Sequence, residues 1–228
     1  MQDFAQIRVI AHRGASHYAP ENTLPAFHKA LDLGVDMVEF DVRSTRDGAL
    51  VVFHDARLDR LTGVAGRLDA LTYDELSACA VGGQRIPRLD EVLAAVGGHC
   101  QVNIEIKQRG LVAAIVAEVQ RLGLQREVIF SSLRHRELLE VKAIDPRLRV
   151  GLLLNVRPVL AMTAVSLARA VDAEALILPR ATFRPAHLRA AHRAGLAVYV
   201  WTVNEPEDIA WATDLGVDGI FSNYPDLI

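Results

Sequence analysis

Cysteine, net charge and long apolar runs are all scarce in this sequence, and each scarcity closes off a class of protein. Two cysteines, Cys79 and Cys100, stand without metal-site spacing, which leaves two free thiols as the expectation in a reducing compartment. The 25 Lys and Arg nearly balance 28 Asp and Glu, for a net charge of −3. No global basic field of the kind nucleic-acid binding needs surrounds the chain, so any affinity for an anion must be local. No apolar run approaches the roughly 18 residues of a membrane span. The N-terminal MQDFAQIRVI lacks a basic segment followed by a long apolar stretch, so no leader is expected, and the chain reads as cytoplasmic. No G-x-G-x-x-G follows a strand-like run, which removes the strongest sequence sign of a dinucleotide fold.

Apolar residues are abundant: they make up 51% of 228 residues, against 23% charged. That suffices for a substantial core, and one domain spanning residues 1–228 is expected. Aliphatic or β-branched runs recur at Val9–His12, Met37–Val42, Val102–Ile106, Val128–Ser131, Val150–Leu154, Ala175–Leu178, Ala197–Val203 and Gly219–Ser222. Helical patterns lie between most of them, at 23–33, 89–96, 111–122, 136–144, 159–171, 185–194 and 206–215, several stopped by Gly34, Gly123, Gly195 or Gly216. Strands alternating with helices in this way, in a chain of this length, predict an α/β fold of the closed (β/α)8 TIM-barrel type in preference to an open sheet. The chain ends at Pro225-Asp226-Leu227-Ile228, so the eighth helix must be missing or a stub. Residues 43–87 break the alternation and read as a small insertion between strand 2 and helix 2, too short to build a core alone.

The stretch VEFDVRSTRDGALVVFHD, residues 38–55, sets the chemistry. Val38, Phe40 and Val42 alternate with Glu39, Asp41 and Arg43, as on a strand with one apolar and one polar face. The apolar run Leu50–Phe53 follows too soon for a parallel crossover, which needs roughly a dozen residues, and must fold back antiparallel. Asp47-Gly48 as a two-residue turn would pair Arg43 with Val52 and Asp41 with His54. Glu39, Asp41 and His54 would then converge on the C-terminal end of strand 2, where barrel enzymes keep their sites.

Other strand ends add to them. Strand 1 ends in His12-Arg13-Gly14, strand 3 carries Glu105 and Lys107 two apart on one face, and strand 7 carries Trp201. Three acids facing one barrel mouth repel and raise one another's pKa values unless something positive sits among them. Hard oxygen ligands of this kind suit Mg²⁺, Ca²⁺ or Mn²⁺. His28, His99, His135, His187 and His192 fall away from strand ends and read as surface residues; Asn22 reads as a helix cap; His17 and Tyr18 are placed near the mouth without a role.

With these residues assembled, the chain resembles the glycerophosphodiester phosphodiesterase family nearly end to end. The resemblance rests on AHRGAS with PENT, EFD, the TRDG turn, VVFHD, LDRLTG, IPRLDEVL, NIEIK, WTVN and DGIFSNYP, in that order. It implies metal-dependent hydrolysis of glycerophosphodiesters to glycerol 3-phosphate and an alcohol. By the same resemblance Glu39, Asp41 and Glu105 hold one divalent cation, Mg²⁺ or Ca²⁺ with Mn²⁺ as a third option. His12 and His54 are the acid/base pair, and Arg13 and Lys107 lie near the substrate phosphate. Trp201 is expected to offer a flat wall to the glycerol backbone. The resemblance suggests the glycerol 2-hydroxyl as nucleophile, with direct attack by water as the alternative, and leaves open which histidine is the base. Leu133 stands where members often carry Phe and His17 where they often carry Gly, which bears on substrate choice. The rival readings are a related barrel acting on lysophospholipids and a non-catalytic barrel that binds phosphoesters.

Overall fold

A computed structural model of the chain describes residues 7–155 and 159–228; the reading of the first six residues as free of a leader lies outside them. Eight parallel strands among the described residues close into a barrel. They are β1 (Arg8–His12), β2 (Met37–Ser44), β6 (Gln101–Ile106), β7 (Val128–Ser132), β8 (Arg149–Leu153), β9 (Ala175–Pro179), β10 (Ala197–Trp201) and β11 (Gly219–Ser222). The ring closes because β1 pairs with both β2 and β11, and each remaining strand pairs with its neighbour in sequence order. This is a (β/α)8 barrel. Its outer helices are α1 (Leu24–Asp32), α4 (Leu89–Val96), α5 (Val112–Arg121), α6 (His135–Ile144), α7 (Ala161–Ala170), α8 (Pro185–Arg193) and α9 (Pro206–Leu215). A 3-10 turn at Pro225–Leu227 stands where an eighth would begin.

Strand alternation divides the apolar residues into two layers. Val38, Phe40, Val42, Ile104, Phe130 and their like face the helices and form the main core, whereas Ile10, Met37, Ile129, Ala175, Ile177, Tyr199 and Phe221 fill the barrel. On β1, β2 and β6 the inward positions turn polar toward the C-terminal end: His12 is level with Glu39 and Asn103, and Asp41 with Glu105 and Ser131. The apolar filling stops and the mouth begins there.

Between β2 and α4 the chain folds β3 (Leu50–Val52), α2 (Asp59–Thr62), α3 (Tyr73–Leu76), β4 (Ala80–Val81) and β5 (Gln84–Arg85). This segment gathers a small apolar cluster, with Val51, Phe53, Leu58, Leu68, Leu76 and Ile86, but not in isolation. It achieves this by leaning on the part of β2 that extends past the barrel rim.

β3 pairs antiparallel to β2 as expected, but one residue out of the expected register: Val42 faces Val52 and Arg43 faces Val51. The loop has three residues, not two. Thr45 N donates to Ala49 O at 3.0 Å and Gly48 N to Thr45 O at 3.1 Å, and within the turn only Gly48 takes a positive φ, +83°. Asp47 stays right-handed because its carboxylate accepts from Thr45 Oγ1 at 2.6 Å, which favours a turn closed by a single left-handed glycine over one that needs two. Phe53, not His54, is therefore bonded to Asp41, N to O at 2.9 Å.

Among the described residues no helix is long and apolar enough to cross a membrane. Cys79 and Cys100 are both free.

Candidate active site

β1 delivers its histidine and then bends sharply. Arg13 and Gly14 both take positive φ, +59° and +78°. A Cβ on Gly14 would stand 2.7 Å from the backbone carbon of Ala26, so only glycine lets α1 approach this closely. The bend aims the Arg13 backbone N–H at Glu39 Oε2, 3.0 Å away. Arg13 Nη1 donates to Glu21 Oε1 at 2.7 Å, and its Nε lies 3.4 Å from Asp41 Oδ2.

Glu39 and Asp41 enter from β2 and Glu105 from β6. Each offers an oxygen to a group lying within 4.8 Å of one another, and Glu39 and Asp41 are 4% and 1% exposed. Lys107 Nζ bridges two of them, 2.8 Å from Glu105 Oε1 and 3.3 Å from Asp41 Oδ1. Asn22 Nδ2 donates to Asp41 Oδ2 at 2.9 Å. That corrects the reading of Asn22 as a helix cap: Thr23 holds the cap position, and Asn22, at φ +58°, turns its amide inward to the acid.

The three carboxyls share one field but titrate apart. Burial would raise Asp41, yet Lys107 and Arg13 outweigh it and hold Asp41 well below the usual carboxylate range. Burial together with the Asp41 and Glu105 charges lifts Glu39 well above that range. Burial and Asp41 push Glu105 up to about 7 despite Lys107.

Two histidines complete the rim. His12 Nδ1 lies 2.8 Å from Asn223 Oδ1, an amide oxygen that also accepts from Ser16 Oγ at 3.0 Å. The imidazole therefore donates through Nδ1 and keeps Nε2 as an acceptor. Burial, aided by Arg13, lowers His12 to about 4. His54 Nδ1 lies 2.6 Å from Asp55 Oδ1, which fixes the same tautomer with a carboxylate behind it. Burial, with Lys107 and Arg13, lowers His54 against the pull of Asp41 and Asp55. His54 reaches the mouth not by facing Asp41 across a ladder but because β3 ends at Val52 and Arg43 Nε holds the His54 carbonyl at 2.8 Å.

The cleft over these groups encloses about 480 Å³, counting space open to solvent. It is lined by the polar His12, Arg13, Glu39, His54, Glu105, Lys107 and Ser131 and by the apolar Leu133, Leu153, Ile177, Trp201 and Phe221. All eight residues singled out from the sequence thus meet at one end of the barrel, with Asp41 behind the others. The histidines read as surface residues include one error. His187 is buried, accepting from Arg184 N at 3.0 Å and lying 2.7 Å from Val159 O.

A family model described as the glycerophosphoryl diester phosphodiesterase family matches residues 12–227, from the first histidine of the cleft to the last turn of the chain. The chain belongs to this family. The glycerophosphodiester phosphodiesterase of Caldanaerobacter subterraneus subsp. tengcongensis is 34% identical over 234 residues, covering 96% of this chain and 95% of that protein. The crystal structure of the glycerophosphodiester phosphodiesterase of Thermotoga maritima superposes with a TM-score of 0.85 at 29% identity, covering 97% of this chain and 96% of that one. An Oleispira antarctica phosphodiesterase, solved in complex with the product sn-glycerol-3-phosphate, superposes at 0.87 with 29% identity, covering 96% and 94%.

Within this phosphodiesterase family member, Asn223, Asp55 and Glu21 are side chains of the site that sequence reasoning assigned no role. Asp55 stands next to His54, and an acid beside a strand-end histidine is a signal that was available. Asn223 follows the last strand, and only closure of β11 onto β1 brings it to His12.

Proposed function

We propose that this phosphodiesterase hydrolyses glycerophosphodiesters to glycerol 3-phosphate and an alcohol, using one divalent cation and two histidines. The observation that carries the reading is the co-location of three convergent carboxylates with two imidazoles whose Nδ1 atoms are both engaged, so that both Nε2 atoms remain for substrate.

The carboxylates suit a cation by their chemistry. Three hard oxygen donors within 4.8 Å, two of them raised by burial and by the neighbouring carboxylates, form a site whose charge a divalent ion relieves. Glu39, Asp41 and Glu105 would hold it. Bound there, the ion would act as a Lewis acid on a phosphoryl oxygen. Arg13 and Lys107 supply the remaining positive charge against the phosphodiester. Trp201 and Phe221, which also line the cleft, offer apolar surface to the carbon skeleton.

Proton transfer is divided between the histidines by what stands behind each. His12 is backed by an amide oxygen and stays neutral, so its Nε2 accepts the proton of the attacking hydroxyl, either from water, which gives glycerol 3-phosphate directly, or from the glycerol 2-hydroxyl, which gives a cyclic phosphate that water then opens. His54 is backed by the Asp55 carboxylate, whose pull opposes the lowering by burial; once protonated in the reaction, its Nε2 gives a proton to the departing alkoxide. Each positioned group is worth about 10²–10⁴ in rate.

The test is release of glycerol 3-phosphate from glycerophosphocholine and glycerophosphoethanolamine before and after chelation, with Mg²⁺, Ca²⁺ or Mn²⁺ restored. Activity is expected to vanish on chelation and return with a divalent ion. Turnover that survives thorough chelation would sink the metal assignment, and near wild-type turnover in His54→Ala would sink the proton-transfer assignment.

A further inference from the structure

Arg60 belongs to the insertion, on the one-turn helix α2, far from any barrel strand. Leu58, just before α2, is fully buried in the insertion's own cluster, and Thr62 Oγ1 donates to Leu58 O at 2.9 Å. The helix is thereby anchored on one side, and Arg60 projects from it toward the mouth.

Its guanidinium meets two carboxylates that lie on different loops. Nη1 and Nη2 form a fork on Glu21, at 3.0 Å to Oε2 and 2.8 Å to Oε1, and Nε donates to Asp55 Oδ2 at 2.6 Å. Each carboxylate also holds a group of the site, Glu21 through the Oε1 it shares with Arg60 and Asp55 through its other oxygen. Glu21 Oε1 takes Arg13 Nη1 at 2.7 Å, and Asp55 Oδ1 takes His54 Nδ1 at 2.6 Å. An unbroken run of charge-assisted hydrogen bonds therefore joins Arg13 to His54 through Glu21, Arg60 and Asp55. The Glu21 and Asp55 side chains are 17% and 23% exposed, while Arg60 is 49% exposed.

We propose that Arg60 is a positioning residue: it aligns Arg13 through Glu21 and His54 through Asp55, and so sets the phosphate-binding group and the proton donor relative to each other. The inference rests on the roles given to Arg13 and His54 under the proposed function. Both links need the planar five-donor fork of arginine; a lysine ammonium, a point charge on a flexible stem, meets one carboxylate but does not span both. The insertion thus contributes to the reaction through one side chain that touches no reacting atom. A misalignment of about 1 Å at either end is costly, whereas an ordinary exposed ion pair of the same geometry leaves catalysis untouched.

The experiment measures kcat and KM for glycerophosphocholine in Arg60→Ala, Arg60→Lys, Glu21→Gln, Asp55→Asn and the Glu21→Gln/Asp55→Asn pair. Arg60→Ala is expected to lower kcat about 10- to 100-fold and to raise KM. Asp55→Asn should act mainly on kcat and Glu21→Gln mainly on KM. In the paired background the further loss of Arg60 should cost less than about twofold, because the partners through which it acts are gone. Free guanidinium should restore part of kcat to Arg60→Ala but none in the paired background. The side-chain ¹⁵N shifts of His54 should report a fixed Nδ1–H tautomer in the wild type and a mixture in Arg60→Ala. Arg60→Lys, the gentler change should Arg60→Ala not fold, should lose at least one of the two parameters. Wild-type kcat and KM in both Arg60 variants, or an undiminished penalty in the paired background, would overturn the proposal. With His54→Ala inactive in the same assay, that result removes the clamp and leaves the proposed reaction standing.

Discussion

Three carboxyls within 4.8 Å cannot all stay charged without help, and the help present is unequal. Lys107 and Arg13 together outweigh burial at Asp41, whereas at Glu39 and Glu105 burial and the neighbouring carboxylates outweigh what the same cations supply, and both titrate high. A divalent ion needs them deprotonated, so binding must expel a proton. With Glu105 at about 7 and Glu39 also raised well above the usual carboxylate range, cation affinity should fall by about tenfold or more per pH unit as the pH drops below neutrality. Calorimetry in two buffers of different ionisation heat reads this directly; equal heats in both would refute it. A second outcome follows from the same imbalance. Glu39→Gln keeps an acceptor for the Arg13 N–H but removes a charge the fold disfavours. The metal-free variant should therefore be more stable than wild type at pH 8, as urea unfolding would measure, while activity is lost.

At the scale of elements, two glycines with nearly equal φ serve differently. Gly48 at +83° closes the hairpin with open space where a side chain would sit, and Gly14 at +78° lies against α1. Gly48→Ala should cost only the left-handed backbone penalty, about 1–2 kcal/mol. Gly14→Ala should add overpacking against Ala26 and cost about 2–4 kcal/mol. Urea unfolding of the two variants separates them; equal costs would mean that α1 can retreat. The bend at Gly14 also carries Arg13 to Glu39, so its substitution should reduce activity beyond what the stability loss explains.

Across the whole molecule the cleft has two halves. The charged groups rise from β1, β2 and β6 and from the loops beside them, while β8 to β11 supply Leu153, Ile177, Trp201 and Phe221. A cation held by the charged half binds only the folded chain and should stabilise it by about 2.7 kcal/mol at one hundred times its dissociation constant, roughly 2–4 °C of midpoint per kcal/mol. Thermal unfolding with and without Ca²⁺ or Mg²⁺ measures the shift. It should disappear in Asp41→Asn, and a shift that persists there would place the ion elsewhere.

Periodicity marked out the strands and helices, because apolar alternation is a local property that survives into the fold; with the number of strands and the chain length it favoured the closed barrel over an open sheet, which periodicity alone does not exclude. Family-specific order in HRG, EFD, VVFHD and NIEIK was enough to gather the eight site residues by name. The hairpin register was not legible, because the choice between a two- and a three-residue loop turned on one Asp47 carboxylate bonded to Thr45. Nor was the supporting shell. Asn223 reaches His12 across 211 positions of sequence, and Arg60 reaches Glu21 across 39. Such pairs have no local signature: they exist only once barrel closure and the insertion's own packing have fixed the distance between loops. The sequence named the groups proposed to do the chemistry, and the tertiary structure decided which side chains lie against them.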